Sequence, residues 1–320
     1  MNLNQQAAAL CRTLQLRAAE LRAEVHSIAG ATVIDLGVAA RGGLEAGRAL
    51  AEICLAGLGR VRLVPGDASV WQGPAIAVAT DHPLAACIAS QYAGWQIAVG
   101  KYFAMGSGPM RALAAKEALF QELALGEAAA DAVGVLETSK LPPAEVVEYL
   151  ARECSVASER LTLLAARTAS QAGTVQVVAR SVETALHKLH ELKFDLRRVE
   201  SGWGTAPLPP PAADDLTGIG RTNDAILYAA RVTLWVRGDD ESLREVGPRL
   251  PSNASLDHGA PFAEIFRRAG HDFYQIDPLL FSPAEVTLAN LDTGRSFTFG
   301  AVSPEVIRRS FRDEGSASAP

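Results

Sequence analysis

Cysteine is scarce, four in 320 residues, and no two form a C-x-x-C pair. Cys11, Cys54, Cys87 and Cys154 fit neither a zinc site nor a small disulfide scaffold. Packed, reduced thiols of a cytosolic protein are the expectation. Basic side chains are outnumbered as well, 30 against 36 acidic ones, for a formal charge of −6. General nucleic-acid binding needs a basic surface that releases counterions, so it is excluded as the main role. No apolar run approaches the ~20 residues that span a bilayer. The first ten residues lack the basic start and apolar middle of a signal peptide. A cytoplasmic enzyme with no membrane partner is expected. There is no strict repeat, no Walker loop and no H-E-x-x-H.

What remains is ordinary for a soluble globular protein: 48% hydrophobic and 21% charged residues, enough chain for one large domain or two average ones. Apolar spacing predicts a helix over 4–25, a strand over 31–36 and a helix to 58. Strands follow over 61–64, 75–79, 95–99 and 133–136, with Pro65-Gly66 and Gly73-Pro74 marking turns. Helix formers fill 110–125, and Leu141-Pro-Pro-Ala opens a helix to 152. Residues 161–165 and 175–179 read as the strands of a hairpin ahead of another helix. Four prolines and two adjacent aspartates make 203–215 an irregular loop, and the branched run 224–236 reads as a buried strand. A short helix over 261–269 and a hairpin of 286–289 with 296–299 complete the pattern, before a Ser/Ala/Gly/Pro-rich tail, 313–320, expected to be flexible. Strands and helices alternate without a regular beat. The fold class is therefore α/β, with mixed sheets and flanking helices rather than a uniform parallel barrel.

Four stretches can carry chemistry. In Arg180-Ser-Val-Glu183 a guanidinium and a carboxylate three residues apart share one face of a new helix and can pair. A carboxylate held in this way is a candidate water-activating group. His187 and His190 follow at helical spacing, so Glu183, His187 and His190 form either a metal face on that helix or a set of solvated and packing side chains. The absence of a third ligand cluster favours the second reading.

Gly100-Lys-Tyr-Phe-Ala-Met-Gly-Ser-Gly-Pro109 is a glycine-rich loop in which Lys101 offers a charge and Gly106-Ser107-Gly108 a close backbone approach. A tight turn with a surface lysine explains it equally well. Gly220-Arg-Thr-Asn-Asp224 precedes the expected strand 224–236. Arg221 can clasp an anion, and Asn223 with Asp224 can read the edge of a heterocycle; a simple cap is the alternative. In Asp277-Pro-Leu-Leu-Phe-Ser-Pro-Ala284, Phe281 is either a pocket wall or a buried anchor.

Together these stretches, with Asp272-Phe-Tyr-Gln-Ile276 before the last one, resemble methenyl-tetrahydromethanopterin cyclohydrolase over nearly the whole chain, from about Leu14 to Phe311. The resemblance implies a metal-free hydrolase of one-carbon metabolism. It would interconvert methenyl-tetrahydromethanopterin, or a dephosphorylated analogue, plus water and the 5-formyl derivative. It further implies no tightly bound cofactor, a homotrimer, and two α/β parts enclosing a pocket, with a division near 140–155 that allows for a chain crossover. Glu183 and Arg180 match the family's proposed catalytic pair. Lys101, Gly106, Ser107 and Gly108 would line the pocket, with Arg221, Asn223, Asp224, Phe281 and Ser282 as further substrate contacts. Residues 256–262 match a family stretch only loosely. Two alternatives stand beside this reading: a metal-dependent amidohydrolase using Glu183, His187 and His190, and a pterin-binding protein without catalysis.

Overall fold

The computed structural model describes residues 2–270 and 275–312. The tail 313–320 and the start of the Asp272–Ala284 stretch lie outside the described residues. The chain divides into two compact units, Met1–Arg60 with Leu84–Val177, and Val61–Pro83 with Val178–Pro320. Residues 140–155 fall inside the first. Each unit is built on one six-stranded mixed sheet with helices against it, as the irregular alternation of strand and helix requires.

The sheet of the first unit uses β1 (Glu24–Ile28), β2 (Ala31–Gly37), β5 (Trp95–Val99), β6 (Tyr102–Ser107), β7 (Ala132–Glu137) and β8 (Leu161–Ala166), in the order β1-β2-β8-β7-β6-β5. Its centre, β2-β8-β7, is parallel, and antiparallel hairpins extend both edges. The central strands are apolar on both faces because both faces are covered. On one side α1 (Leu3–Leu16), α3 (Leu44–Cys54) and α7 (Gln171–Val178) bury Ile34, Leu36, Leu164 and Ala166. On the other, α6 (Ala144–Glu153) packs Val146, Val147, Leu150 and Ala151 on Val33, Leu136, Leu163 and Ala165.

The second sheet uses β3 (Gly59–Pro65), β4 (Pro74–Thr80), β9 (Val199–Pro207), β10 (Arg231–Val236), β11 (Glu285–Asn290) and β12 (Ser296–Gly300), in the order β12-β11-β10-β9-β4-β3. β10 and β11 are parallel, while β9 runs antiparallel to β10 and β4. In β10 and β11 every second residue is buried, the period-2 signature of a sheet packed on one side. Across β9, β10 and β4 lies α8 (Ser181–Glu191), and α9 (Asp215–Ala229) packs with α11 (Phe262–Arg268) and α12 (Pro304–Phe311).

Several local expectations are corrected. Residues 175–179 are not a strand: α7 is a helix, its branched residues fitting because α3 offers Gly47, where a Cβ would stand 2.7 Å from Val175 Cβ. Residues 224–236 are not one strand either. The caps of α9 decide this, with Asp214 accepting from Thr217 N at 2.8 Å, and the helix runs to Ala229 before β10 begins. The loop expected over 203–215 is strand as far as Pro207, and the glycine-rich loop 100–109 is mostly β6. The helix expected over 4–25 breaks after Leu16, leaving a short α2 (Ala18–Leu21) and then β1. Residues 110–125 split into α4 (Met110–Ala114) and α5 (Ala118–Leu123).

The loop after β2 is organised by one side chain. Asp35, fully buried, accepts N–H bonds from Gly37, Val38, Ala39 and Ala40 at 2.9, 2.6, 2.8 and 3.0 Å. Burial works to raise the Asp35 carboxyl, but the four donors outweigh it and hold the group below its ordinary range. A depressed carboxyl contributes stability above its unfolded pKa, and that contribution is lost as pH falls through the folded value. Asp35→Asn keeps the size but sets an N–H2 against N–H donors. Thermal melts should show a loss of about 2–3 kcal/mol, several degrees, at neutral pH, and a gap to wild type that narrows in acid.

Candidate active site

A two-residue turn, Ala179-Arg180, joins α7 to α8. Arg180 is the N-cap of α8 and Glu183 its third residue, which places the carboxylate beside the N–H groups that no helical carbonyl reaches. The Arg180 carbonyl accepts from Thr184 N and from Thr184 Oγ1, both at 2.8 Å, fixing the turn. Arg180 Nη1 stands 3.9 Å from Glu183 Oε2, with both residues buried, 7% and 6% exposed. At that spacing the pair is electrostatic rather than a short hydrogen bond.

The helix reaches this position because β9 gives way to it. A Cβ at Gly202 would stand 2.5 Å from Val182 Cγ1, and one at Gly204 2.5 Å from Ser181 Oγ. Further along α8, Lys188 is fully buried and donates from Nζ to the Leu279 carbonyl. Burial pushes its ammonium down to about 8, with Asp277 acting to raise it and Arg249 to lower it. Asp277 in turn accepts from Ser255 Oγ at 2.6 Å and Leu279 N at 3.0 Å. Lys188 thus pins the segment that leads to Phe281 and Ser282, a role no motif signalled. Only its place between Leu186 and Leu189 marks it as an inward-facing lysine.

Phe281 is partly buried and meets Phe262 edge-on at 5.9 Å. Ser282 is fully buried and donates to the Leu250 carbonyl at 2.5 Å. Arg221, Asn223 and Asp224 sit within α9 rather than on a loop. Arg221 donates to the Pro211 and Ser310 carbonyls at 2.6 and 3.4 Å, and Asn223 to the Ile219 carbonyl at 2.9 Å. Asp224 Oδ1 accepts from Phe262 N at 2.8 Å, so it ties the start of α11 to α9.

The candidates of the first unit are not gathered at one point. Lys101 is exposed at the turn between β5 and β6, where Gly100 has φ +57. Gly106, Ser107 and Gly108 close the other end of β6; five residues of strand at ~3.3 Å each separate Lys101 from Gly106 by about 16 Å. Ser107 Oγ lies 3.4 Å from Cys54 Sγ, and Gly108 N donates to the Ser90 carbonyl at 2.8 Å. As for a metal face on α8, His187 Nε2 stands 3.9 Å from Glu191 Oε1. Among the described residues no three His, Cys, Asp or Glu side chains stand together as a metal site.

Asp224 yields a test of this packing. Its carboxyl is fully buried, and burial pushes it up to about 7, with the bonds from Ser310 and Phe262 opposing. A raised carboxyl is stabilising while protonated, so its contribution declines as pH rises from the ordinary 3.8 to about 7. Asp224→Asn keeps an acceptor for Phe262 N and cannot ionise. Relative to wild type, its thermal midpoint should climb by several degrees between pH 4 and pH 8; a constant offset would contradict the raised pKa.

The family model described as Cyclohydrolase (MCH) matches residues 2–311. A methenyltetrahydromethanopterin cyclohydrolase of Rhodopirellula baltica is 53% identical over 290 residues, covering 89% of this chain and 87% of that protein. One of Methylobacillus flagellatus is 47% identical over 311 residues, 97% of this chain and 95% of that protein. One of Methanococcoides burtonii is 44% identical over 284 residues, with 88% of this chain and 89% of that protein covered. With the Arg180–Glu183 pair formed at the head of α8 and likeness running almost end to end, the chain belongs to the methenyltetrahydromethanopterin cyclohydrolase family.

Proposed function

We propose that the protein interconverts 5,10-methenyl-tetrahydromethanopterin plus water and 5-formyl-tetrahydromethanopterin, with Glu183 activating the water and Arg180 positioning Glu183. Family membership across residues 2–311 is the observation that carries the reaction. The buried Arg180–Glu183 pair supports the assignment of roles. The methenyl bridge joins two nitrogens as an amidinium-like cation, already electrophilic at carbon. Water oxygen bonds to that carbon while Glu183 takes one of its protons. The bond from carbon to N10 then breaks, N10 takes a proton, and the formyl group stays on N5; the remaining proton leaves to solvent. The charge on the substrate supplies the polarisation, so this route calls for no metal and no tightly bound cofactor. What the protein must supply is a placed water and a base.

The Arg180 guanidinium and the first turn of α8 both present positive potential to the Glu183 carboxylate. The partly buried Phe281 and the ring of Phe262 behind it suit a flat heterocycle. A homotrimer in the cytoplasm belongs to the same reading. All four cysteines are buried thiols outside any disulfide, as suits a reducing compartment.

The experiment follows loss of the methenyl chromophore when purified protein meets methenyl-tetrahydromethanopterin, with the methenyl-folate analogue alongside. Wild type should convert the first; conversion of the folate alone would redirect the assignment. Glu183→Gln should lower kcat by roughly 100- to 10,000-fold with KM little changed. Near-wild-type turnover in that variant would remove Glu183 from the chemistry. Light scattering on the eluting protein should give three chains per particle, and a stable monomer would contradict the trimer.

A further inference from the structure

Residues 277–284 lead into β11 of the second unit and are tied near both ends. At the start Asp277 accepts from Ser255 Oγ at 2.6 Å, and its own N–H donates to Asp257 Oδ2 at 2.8 Å. At the far end Ser252 N donates to the Pro283 carbonyl at 3.0 Å, and Ala284 N to the Ile226 carbonyl at 3.2 Å. Phe281 stands between these ties. Its N–H reaches the Pro278 carbonyl at 3.4 Å, longer than a good hydrogen bond, so its own turn holds it weakly. Two residues earlier, the Leu279 carbonyl takes the Lys188 ammonium.

The ring that Phe281 meets is fixed by other means. Phe262 is fully buried, stacks on Phe266 at 5.8 Å, and has its N–H held by Asp224. Phe281 is partly exposed, so the direction of its open side depends on the backbone around Leu279. Filling the core does not call for a lysine here. Methionine has a stem of similar length and no charge to desolvate. The ammonium contributes a directed, charge-assisted bond that an apolar side chain cannot make. It also lies on α8 five residues after Glu183, about 7.5 Å along the axis. One helix thus carries both the candidate base and the group that places the ring.

We propose that Lys188 is a positioning residue for substrate binding, fixing through the Leu279 carbonyl the face that Phe281 offers to the pterin ring. The assignment rests on the pterin substrate and the Phe281 contact proposed above. Phe281 makes the contact, and Lys188 acts through it. Two charges face the ammonium from packed segments, Asp277 and Arg249. The residues of β4, β9 and β10 turned toward α8, Val78, Gly202, Gly204, Val232 and Leu234, carry none. On α8 itself the titratable groups are Glu183 beside Arg180, His187 beside Glu191, and His190. Beyond its end Arg197 and Arg198 stand with Asp195 and Asp239. Burial outweighs Asp277 and brings the ammonium down to about 8. Above that pH the neutral amine no longer draws on Asp277, and its bond to Leu279 loses the assistance of charge.

The test measures KM and kcat for methenyl-tetrahydromethanopterin between pH 7 and pH 9. Wild type is compared with Lys188→Met, Phe281→Ala and the double variant, each checked for fold by circular dichroism. At pH 7 Lys188→Met should raise KM roughly 10-fold with kcat largely kept, because the ring contact is equal in ground state and transition state. Wild-type KM should climb toward the variant's value as pH passes about 8, while that of Lys188→Met stays level. If Lys188 acts through the ring, the double variant should bind no worse than Phe281→Ala alone. Should Lys188→Met not fold, the wild-type profile decides: KM must rise through pH 8, and Phe281→Ala must abolish the rise. A level wild-type KM, an unchanged KM in Lys188→Met, or additive losses in the double variant would overturn the assignment and leave the reaction intact. A wild-type KM in Phe281→Ala would remove the ring contact and this assignment together. No turnover by wild type would remove the pterin reading as well.

Discussion

The first turn of α8 lies against β9 at a separation that only residues without side chains allow. Gly202 and Gly204 alternate along the strand and so face the same side, toward Val182 and Ser181. With those two residues committed to the sheet, Glu183 falls about 150° further round the helix from the middle of that contact. Arg180, three residues earlier, shares that side with it. The burial of both groups, their 3.9 Å separation and the placement of the carboxylate in the first turn all depend on this contact. Any larger residue at 202 or 204 would lift the helix and move the pair as one body. The glycines of β9 therefore decide where the pair stands as well as how the helix packs.

Lys188 extends the same constraint outward. Among the described residues it is one of the largest fully buried side chains, and it spends its charge on the Leu279 carbonyl and on the field of Asp277. A buried ammonium is expensive unless it is bonded, so its partners are held as firmly as it is. The helix that carries Glu183 thereby sets the register of residues 277–282, and through them the positions of Phe281 and Ser282. Asp224 does the equivalent between α9 and α11 through Phe262 N. The second unit is thus organised by polar groups placed where water does not reach.

Much of this was legible in the sequence, and the failures have physical reasons. Alternating or continuous apolar runs gave β2, β4, β5, β7 and β8, because a strand's period survives in the residues themselves. The run Val175–Val178 has strand composition, yet it is helical; the room for it comes from Gly47, more than a hundred residues away. Asp214 and Asp215, read among the prolines of a loop, are the cap and first residue of α9, which put Arg221, Asn223 and Asp224 inside a helix. Lys101 and Gly106-Ser107-Gly108 look like one loop when written out, but the strand between them carries them to opposite ends of β6. The Arg180–Glu183 pair was visible because both members lie within one helical turn. The tie between Lys188 and Leu279, 91 residues apart, was not.

Among the described residues three carboxylates are well shielded from water, and they are distinguished by what faces them. Asp35 meets four backbone donors and is held ionised, so it shapes a loop and cannot exchange a proton near neutrality. Asp224 meets few donors in an apolar setting and takes up a proton easily, which suits an internal tie and would waste a base. Glu183 meets the Arg180 guanidinium at 3.9 Å and the head of a helix, a setting unlike either of the others. That spacing is set by the turn at 179–180 and by two glycines on the neighbouring strand, so the pair is placed by packing before any ligand arrives.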